Sequence, residues 1–516
     1  MHKFFRLFNT VKYLKPIQVY YRLYYVVRVR LRKLSGFKYP LSIPSNSVTL
    51  TLQPSITSYT SLNDRTFVFL NLSHTFENSI DWNFSKYGKL WTYNLTYFDY
   101  LQQEDISKKD ALSLFKDFII HTESHKDALE PFPISLRGIN WVKFLSIHSI
   151  KEKSIDDNLY AQYNILMDTL EYHLLGNHLL ENGFSLLFGA YYFKDDKFYS
   201  KAKEILTNEL TEQILDDGAH FELSPMYHQI MLFRLLDCIN LVKNNSYKNS
   251  DLLSFFEAKA EVMVGWLNVM TFTDGNIPLF NDSAYSIAPT TEQINRYATE
   301  LKINSKVTKL STSGYRKYQN SRYEVVTDIG HIGPDYIPGH AHADTFSFEL
   351  YLNGNPFIVD SGLSTYETNA RRTDERSTAA HNTVEIDNLN QSEVWGGFRV
   401  ANRAYVTILH ENSNNIKAVH DGYQKRLNAL HEREFIFEDD SIKIIDKIIS
   451  DNKYKALLRL HFHPKIDESM IKKHIILDNS EYTIKDYQYS PEFNTQINAK
   501  VLEISFTKKL VIRIVL

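Results

Sequence analysis

The hydrophobic pattern of this chain changes close to residue 310. Between about Tyr97 and Met270, apolar residues recur at the spacing of amphipathic helices, and short loops with Asn, Gly or Asp separate the segments. From about Ser321 onward, short runs rich in β-branched and aromatic residues alternate with Gly, Asn and Asp turns. The pattern predicts an all-α domain followed by an antiparallel β-sandwich, with a ligand-binding cleft at their junction.

The length of 516 residues exceeds what one hydrophobic core normally serves, so we expect at least two domains. We divide the chain into a basic N-terminal segment (1–60), a helical domain (61–310) and a β-sandwich domain (311–516). The formal net charge of -3 argues against a nucleic-acid-binding protein. The single cysteine, Cys238, excludes a scaffold held by intrachain disulfides.

The N-terminal segment is cationic and aromatic. From Met1 to Asn63 there is no Asp or Glu, but there are ten lysines and arginines. Within it, "LKPIQVYYRLYYVVRVRLRKL" predicts an amphipathic helix that either packs on the protein body or lies on an anionic membrane surface. Basic residues interrupt every candidate signal-peptide core, and no apolar run is long enough to span a membrane. We therefore expect a cytoplasmic protein, or one bound peripherally at the inner membrane face.

Two histidines stand one residue apart in "PGHAHADTFSFEL". Residues two apart on an extended strand project to the same side, so His340, His342 and Asp344 are expected to share a face. Downstream, Asp360 ends one predicted strand and His381 begins another. His342, Asp360 and His381 would form a plausible zinc-binding set if the strands are neighbours, although a structural or incidental role for these histidines is equally open.

The helical part contributes two further clusters. Asn177 and His178 fall where a loop meets a helix in "LGNHLLENGF", where an asparagine commonly caps a helix. In "DDGAHFELSPMYHQI", the Ser-Pro pair predicts a helix start that brings Glu222, Tyr227 and His228 near a helix N-terminus.

Together, these residues supply amide and imidazole donors, a tyrosine and a histidine. That combination suits proton abstraction next to a carboxylate, because donors that neutralise the carboxylate stabilise the developing negative charge. Glu222, with Asp217 or Glu181, leaves glycoside hydrolysis open.

Several motifs resemble the heparinase II/III-like family. They are "PGHAHADTFSFEL", "FIVDSG", "RSTAAHNTVEID" and "SEVWGGFRVANRA", with "KLWTYNLTYFDYL", "RGINWVKF", "GNHLLENGF" and "ELSPMYHQ" upstream. The resemblance runs from about residue 80 to the end. It implies an incomplete (α/α) toroid followed by an antiparallel β-sandwich, and a lyase that eliminates across the C4–C5 bond of a uronic acid residue.

The resemblance also implies residue roles. His340 would act as base or acid, and Tyr227 as proton donor and possibly also as base. Asn177 and His178 match the positions that neutralise the substrate carboxylate. The matching ligands of a structural Zn²⁺ are His342, Asp360 and His381.

An anionic polysaccharide is the expected partner, and the helical-domain candidates Glu222 and His228 are expected to contact it. A groove for such a polymer should be lined by basic side chains. The candidates are Arg137, Arg371, Arg372, Arg376 and Arg399. The absence of a recognisable signal favours a role in making or trimming a surface polysaccharide. Two alternatives stay open: a glycoside hydrolase on the same scaffold, and a non-catalytic glycan-binding or assembly protein at the membrane face.

Overall fold

The computed structural model describes residues 2–248, 251–478 and 480–516. Most helices of these ranges lie in the first 300 residues. In chain order, the α-helices are α1 (His2–Val11), α2 (Pro16–Ser35), α3 (Lys89–Tyr97), α4 (Lys108–Ile120), α5 (Pro131–Ile147), α6 (Lys153–Asp168), α7 (Gly176–Phe193), α8 (Asp196–Gln213), α9 (Pro225–Asn244), α10 (Asp251–Met270), α11 (Thr291–Glu300), α12 (Ala370–Glu375), α13 (Gln424–Leu427) and α14 (Glu468–His474).

Helix α7 is the centre of the helical domain. It contacts α5, α6, α8 and α9, and every one of its residues except His178 is buried. A helix that is apolar on all sides is stable only when other elements surround it. The sequence "GFSLLFGAYYF" therefore places α7 inside, and the polar residues at its N-terminus are carried into the interior with it.

A small sheet precedes α3. This sheet lies within residues 61–310, which the sequence assigned to the helical domain. Its three antiparallel strands are β1 (Leu62–Asn63), β2 (Thr66–Phe69) and β3 (Leu72–Thr75). Phe67 and Phe69 alternate with exposed positions and pack on Tyr100, and Phe69 also packs on Trp91. The alternating run "TFVF" is only four residues long, which is too short to predict a strand with any certainty from sequence.

The remaining strands follow α11, as the change in periodicity predicted. They are β4 (Tyr315–Gln319), β5 (Tyr323–Asp328), β6 (Phe348–Leu352), β7 (Asn355–Ile358), β8 (Val384–Ile386), β9 (Val394–Trp395), β10 (Arg399–Val400), β11 (Val406–Glu411), β12 (Asn415–His420), β13 (Leu430–Phe437), β14 (Ser441–Ile449), β15 (Ala456–His461), β16 (Ile475–Leu477), β17 (Tyr482–Tyr489), β18 (Ile497–Phe506) and β19 (Lys509–Val515).

Antiparallel pairing builds three larger sheets from these strands. The strand orders are β11-β12-β13-β14-β19-β16, β17-β18-β15-β8 and β4-β5-β6-β7. In β13 every second residue is buried, and its register with β14 runs from Leu430↔Ile449 to Phe437↔Ile442. One apolar core includes side chains of all three sheets, so the alternating pattern of the sequence becomes the interior of the sandwich.

The predicted N-terminal helix is present as α2, and α1 precedes it. In the parts of the chain that the model covers, no helix combines the length and apolarity that crossing a membrane requires.

The segment between α10 and α11 joins the two domains. The Asp282 N–H donates to the His340 carbonyl oxygen at 3.0 Å, and the His342 N–H donates to Asn281 Oδ1 at 2.9 Å. The two-histidine loop of the β domain is therefore held directly against the helical side.

The close approach of Gly362 to the backbone of Ser490, near Asp360, can be tested by substitution. Its φ is +76°, and an added Cβ would collide with the Ser490 carbonyl oxygen. Gly354 has a similar φ of +74° but open space around it. We expect Gly362→Ala to cost about 1–3 kcal/mol more than Gly354→Ala, because only the first adds overpacking to backbone strain. Thermal unfolding should show this as a midpoint lower by several degrees, and equal midpoints would contradict the described packing.

Candidate active site

The two-histidine motif lies in a loop, which corrects the expectation of a strand. Residues 338–346 are irregular, and β6 begins only at Phe348. The two imidazoles nevertheless converge, because both contact one carboxylate. His340 Nδ1 lies 2.9 Å from Asp282 Oδ2, and His342 Nε2 lies 2.8 Å from Asp282 Oδ1. Asp344 does not join them; it is buried, and its Oδ2 has no hydrogen-bond partner in the part of the chain that the structure describes.

Asp282 is fully buried and also binds Arg372. Both terminal nitrogens of the guanidinium contact the carboxylate, with Nη2 at 2.7 Å from Oδ2. Burial alone would raise the pKa of Asp282, but Arg372 and the two histidine hydrogen bonds outweigh burial and hold that pKa well below its usual range. Sequence reasoning missed Asp282, since nothing in "PLFNDSAY" distinguishes it from a turn residue.

The ionised Asp282 fixes the tautomer of both histidines. A carboxylate can only accept, so His340 donates from Nδ1 and His342 donates from Nε2. The lone pair of His340 then resides on Nε2, next to Asn177. The lone pair of His342 resides on Nδ1, which is buried and has no hydrogen-bond partner within residues 2–248, 251–478 and 480–516. Burial lowers the pKa of His342 to about 4, which favours the neutral ring.

Asn177 and Glu222 meet His340 from the helical side. The Asn177 backbone N–H and side-chain amide donate to Glu222 at 3.1 and 3.3 Å, and Asn177 Nδ2 lies 3.4 Å from His340 Nε2. Burial raises the pKa of Glu222. Asn177 does not cap α7, because Leu175 occupies the N-cap position. Its side-chain amide is therefore directed at Glu222 and His340 and not at the backbone of α7.

The close approach of α7 to Glu222 depends on Gly176. This residue has a φ of +59°, and a Cβ there would lie 2.8 Å from Glu222 Oε1 and 2.9 Å from Ile337 Cδ1. Only glycine fits both the backbone conformation and the space. The start of α7 can thus bring Asn177 up to the loop that carries His340.

Tyr227 completes the arrangement from the first turn of α9. Ser224 caps this helix by accepting from the Tyr227 N–H at 3.2 Å, and Pro225 occupies the first turn, as predicted. The Tyr227 ring lies against the His340 ring, with centroids 4.0 Å apart. Burial raises the pKa of Tyr227, so the phenol keeps its proton at neutral pH.

Sequence reasoning also missed the aromatic wall around these groups. The Tyr366 hydroxyl lies 3.2 Å from that of Tyr227, and the Phe398 ring is 6.0 Å from the His340 ring. The Arg372 guanidinium packs over both Tyr366 and Phe398. Both aromatic residues come from loops, where no periodicity marks them.

His178 lies at the rim of the site. Its Nδ1 is 3.0 Å from Glu171 Oε1, its ring packs on Phe132, and about a third of its side chain (34%) is exposed. Burial works against the charged form, but Glu171 raises the pKa of His178 overall.

Three predicted substrate-binding residues are buried and have their polar groups engaged inside the protein. Arg137 is buried and donates to Gln162 and to backbone carbonyls. His228 is buried between the His220 N–H and the Met263 carbonyl. Arg376 is buried and donates to the carbonyls of Ala341, Gly396 and Gly397. Each has its polar groups engaged inside the protein, so these residues support the structure.

The other arginines differ in exposure. Arg399 is exposed and packs over the Trp395 ring, next to Phe398. Arg371 is half-buried and pairs with Glu375 at 2.7 Å. Arg399 is thus the predicted basic residue with a free face near the rim.

The predicted zinc ligands lie behind the site. His381 Nδ1 is 2.7 Å from Asp360 Oδ2, and the His342 and His381 rings are 5.2 Å apart. His381 Nε2 and His342 Nδ1 are both buried, and neither has a hydrogen-bond partner among the described residues. Asp360 raises the pKa of His381, although burial opposes this. As arranged, no three His, Cys, Asp or Glu side chains of the described residues form a group that could hold a metal ion.

The chain is similar to known lyases in sequence. A heparin-sulfate lyase of Bacteroides stercoris is 26% identical over 319 residues, which are 56% of this chain and 46% of that protein. A heparin-sulfate lyase of Pedobacter heparinus is 24% identical over 337 residues, which are 59% of this chain and 49% of that protein. The matched region thus spans about half the length of these relatives.

Solved structures share the fold. A crystal structure of heparinase III matches with a TM-score of 0.68 and 17% identity, covering 86% of this chain and 80% of that one. The heparan sulfate lyase HepC from Pedobacter heparinus matches with a TM-score of 0.53 and 16% identity, covering 87% and 81%. The predicted succession of a helical toroid and an antiparallel β-sandwich is confirmed.

Two family models match consecutive parts of the chain. Residues 65–308 match the heparinase II/III N-terminus, and residues 302–508 match the heparinase II/III-like C-terminal region. The chain therefore belongs to the heparinase II/III-like family.

Proposed function

We propose that this protein is a polysaccharide lyase that cleaves a uronate-containing anionic glycan by β-elimination. The observation that carries the proposal is the contact between Tyr227 and His340, which brings a protonated phenol and an imidazole lone pair together where the two domains meet. The similarity to the heparin-sulfate lyases supports the substrate class. A link to surface polysaccharide metabolism stays a prediction.

The proposed reaction uses two proton transfers. His340 Nε2 removes the proton from C5 of the uronate, and the C5–H electron pair forms the C4=C5 double bond. The C4–O4 bond breaks, and the Tyr227 hydroxyl gives its proton to the leaving O4. The raised pKa of Tyr227 suits the acid role, because the phenol is protonated before the reaction.

The C5 proton becomes acidic only if the neighbouring carboxylate is neutralised. Asn177 presents an amide 3.4 Å from His340 Nε2, and His178 presents a partly exposed ring whose pKa is raised by Glu171. Both belong to the first turn of α7, where the helix dipole also favours an anion. These groups form the proposed carboxylate site, and Arg399 is the proposed contact at the rim.

We also propose that His342, Asp360 and His381 hold a structural Zn²⁺. The residue types fit, since each imidazole has a buried nitrogen with no partner in the described part of the chain, and Asp360 adjoins His381. Bound there, the ion would cross-link the loop after β7, the loop before β8 and the two-histidine loop. Its effect on the reaction would be indirect, through the position of His340.

The lyase reaction is tested by incubation with uronate polymers while the ultraviolet absorbance of the unsaturated uronate is followed. We expect product from the wild type, and losses of roughly 100-fold or more for His340→Ala and Tyr227→Phe, because each removes a proton-transfer group. Exposed His410→Ala and Tyr59→Phe are matched controls that should keep full activity.

Two outcomes would contradict the lyase proposal. Folded protein that yields no chromophore on any polymer would favour a glycan-binding role. New reducing ends without the chromophore, lost in Glu222→Gln, would favour hydrolysis. Asp217, one of the two candidate partner carboxylates for hydrolysis, accepts from Ser311 and Ser313 and so is engaged elsewhere.

Asp282→Asn tests whether that carboxylate positions His340. We expect kcat to fall much more than KM rises, because an amide cannot accept from both histidines. Stability should also drop by about 3–5 kcal/mol, since Arg372 keeps a buried charge without a partner. Asp446→Asn is the matched control: Asp446 accepts from Arg433 and His431 in the same way, away from the site. It should lose stability and keep kcat; equal kcat losses in both variants would refute the positioning role.

The zinc proposal is tested by elemental analysis of the purified protein. We expect about one zinc per chain in the wild type, and little in His342→Ala or His381→Ala. His420→Ala removes another buried histidine of the sandwich and should retain the metal. Metal at trace level in folded wild-type protein, or equal zinc in all three variants, would contradict the assignment.

A further inference from the structure

The N-terminal helix α2 is amphipathic in the inverted sense: its polar side faces the protein and its apolar side faces outward. The inward positions recur at spacings of three and four, as on one face of a helix. They are Gln18, Tyr21, Tyr25, Arg28 and Arg32.

The inward side chains bind the loop between α6 and α7. Gln18 donates to the Leu174 carbonyl at 2.9 Å, and the Tyr21 ring stacks on Tyr172 at 4.8 Å. Arg28 and Arg32 both pair with Asp168, at 3.1 and 2.6 Å. Hydrogen bonds and ion pairs therefore account for how α2 is held, and its apolar residues are not needed for that contact.

Helix α1 and the turn after it also contact the protein through polar and aromatic side chains, in this case on the β domain. Arg6 pairs with Glu393 at 2.7 Å, and Trp395 donates to Thr10 Oγ1 at 3.1 Å. Tyr13 lies under the Arg403 guanidinium. The two N-terminal helices thus rest on the protein through polar and aromatic contacts, α1 on the β domain and α2 on the helical domain.

The outward side of α1 and α2 is rich in exposed apolar side chains. Of the 29 exposed large apolar side chains found in the described residues, 16 lie between Phe4 and Phe37. Leu34 is 85% exposed, Phe4 70% and Leu23 64%. Scattered exposed apolar residues are ordinary, but a contiguous surface of this kind marks an interaction site.

The charged side chains that α1, α2 and the turn between them carry are all positive. Arg30 and Lys33 are exposed, and in the part of the chain that the structure covers neither side chain forms an ion pair. No Asp or Glu occurs before Asp64. A face with Leu, Val, Tyr and Phe beside Arg and Lys matches an anionic lipid surface, where rings and aliphatic chains enter the headgroup region and the basic groups meet phosphates.

We propose that α1 and α2 form an interfacial anchor that docks the protein on an anionic lipid bilayer without crossing it. A second copy fits this face less well, because a symmetric pairing would bring the same basic residues together with no acidic group to balance them. Gln18 binds the carbonyl of Leu174, three residues before Asn177, so the anchor adjoins the start of α7. Docking would therefore hold the candidate active site close to the lipid surface.

The test is cosedimentation of the full chain with phosphatidylcholine vesicles, with and without phosphatidylglycerol. We expect binding to the anionic vesicles that weakens as salt is raised. Leu23→Asp with Val27→Asp, both outward and exposed, should reduce binding by roughly tenfold or more. Ile120→Asp with Val307→Asp changes two apolar residues elsewhere that are even more exposed, and this variant should bind as the wild type does.

A second pair of variants tests the electrostatic part. Arg30→Gln with Lys33→Gln should lower binding to anionic vesicles while circular dichroism and lyase activity are unchanged. The proposal is overturned if folded protein binds neither vesicle type, or binds both equally with no effect of this pair. It is also overturned if analytical ultracentrifugation shows a dimer that Leu23→Asp with Val27→Asp dissociates while vesicle binding is absent.

Discussion

The buried ion pair between Asp282 and Arg372 is the interaction on which the rest of the candidate site depends. Isolated charges are costly inside a protein, and this pair is tolerated because every Asp282 oxygen accepts hydrogen bonds from Arg372 and a histidine. Asp282 belongs to the segment after α10, whereas Arg372 belongs to α12 in the β domain. One carboxylate thus ties the two domains together and also sets the proton positions on His340 and His342.

The tautomers explain how adjacent histidines acquire different roles. The same acceptor takes the Nδ1 proton of His340 and the Nε2 proton of His342. The lone pair of His340 consequently faces Asn177, and that of His342 faces the interior near His381. A proton-transfer group and a candidate metal ligand can therefore stand one residue apart without competing.

Unusual backbone conformations surround this centre. Leu175, Leu223 and Asn281 all have positive φ values, which are strained for side chains with a Cβ. Leu175 precedes α7, Leu223 follows Glu222, and Asn281 precedes Asp282. The strain lies where three segments must turn sharply to meet, and hydrogen bonds such as Asn281 to the Leu223 carbonyl hold those turns. Helix α2 contacts the first of them, since Gln18 donates to the carbonyl of Leu174, and this contact connects the proposed membrane anchor with the site.

Periodicity determined the fold class, because helices and strands repeat every 3.6 and 2 residues whatever surrounds them. It predicted the strands of the sandwich, whereas the composition of the N-terminal segment predicted α2 and the Ser-Pro pair predicted the cap of α9 at Ser224. The strands of the small sheet at Leu62–Thr75 are too short to show a recognisable alternation in the sequence. Sequence motifs also indicated Tyr227, His340 and Asn177, which tertiary structure brings together. Only tertiary structure decided that Asp282 and Tyr366 join them, that Arg137 and His228 are interior, and that α2 turns its apolar face outward. Such outcomes depend on burial and on partners distant in the chain, and no local pattern records either.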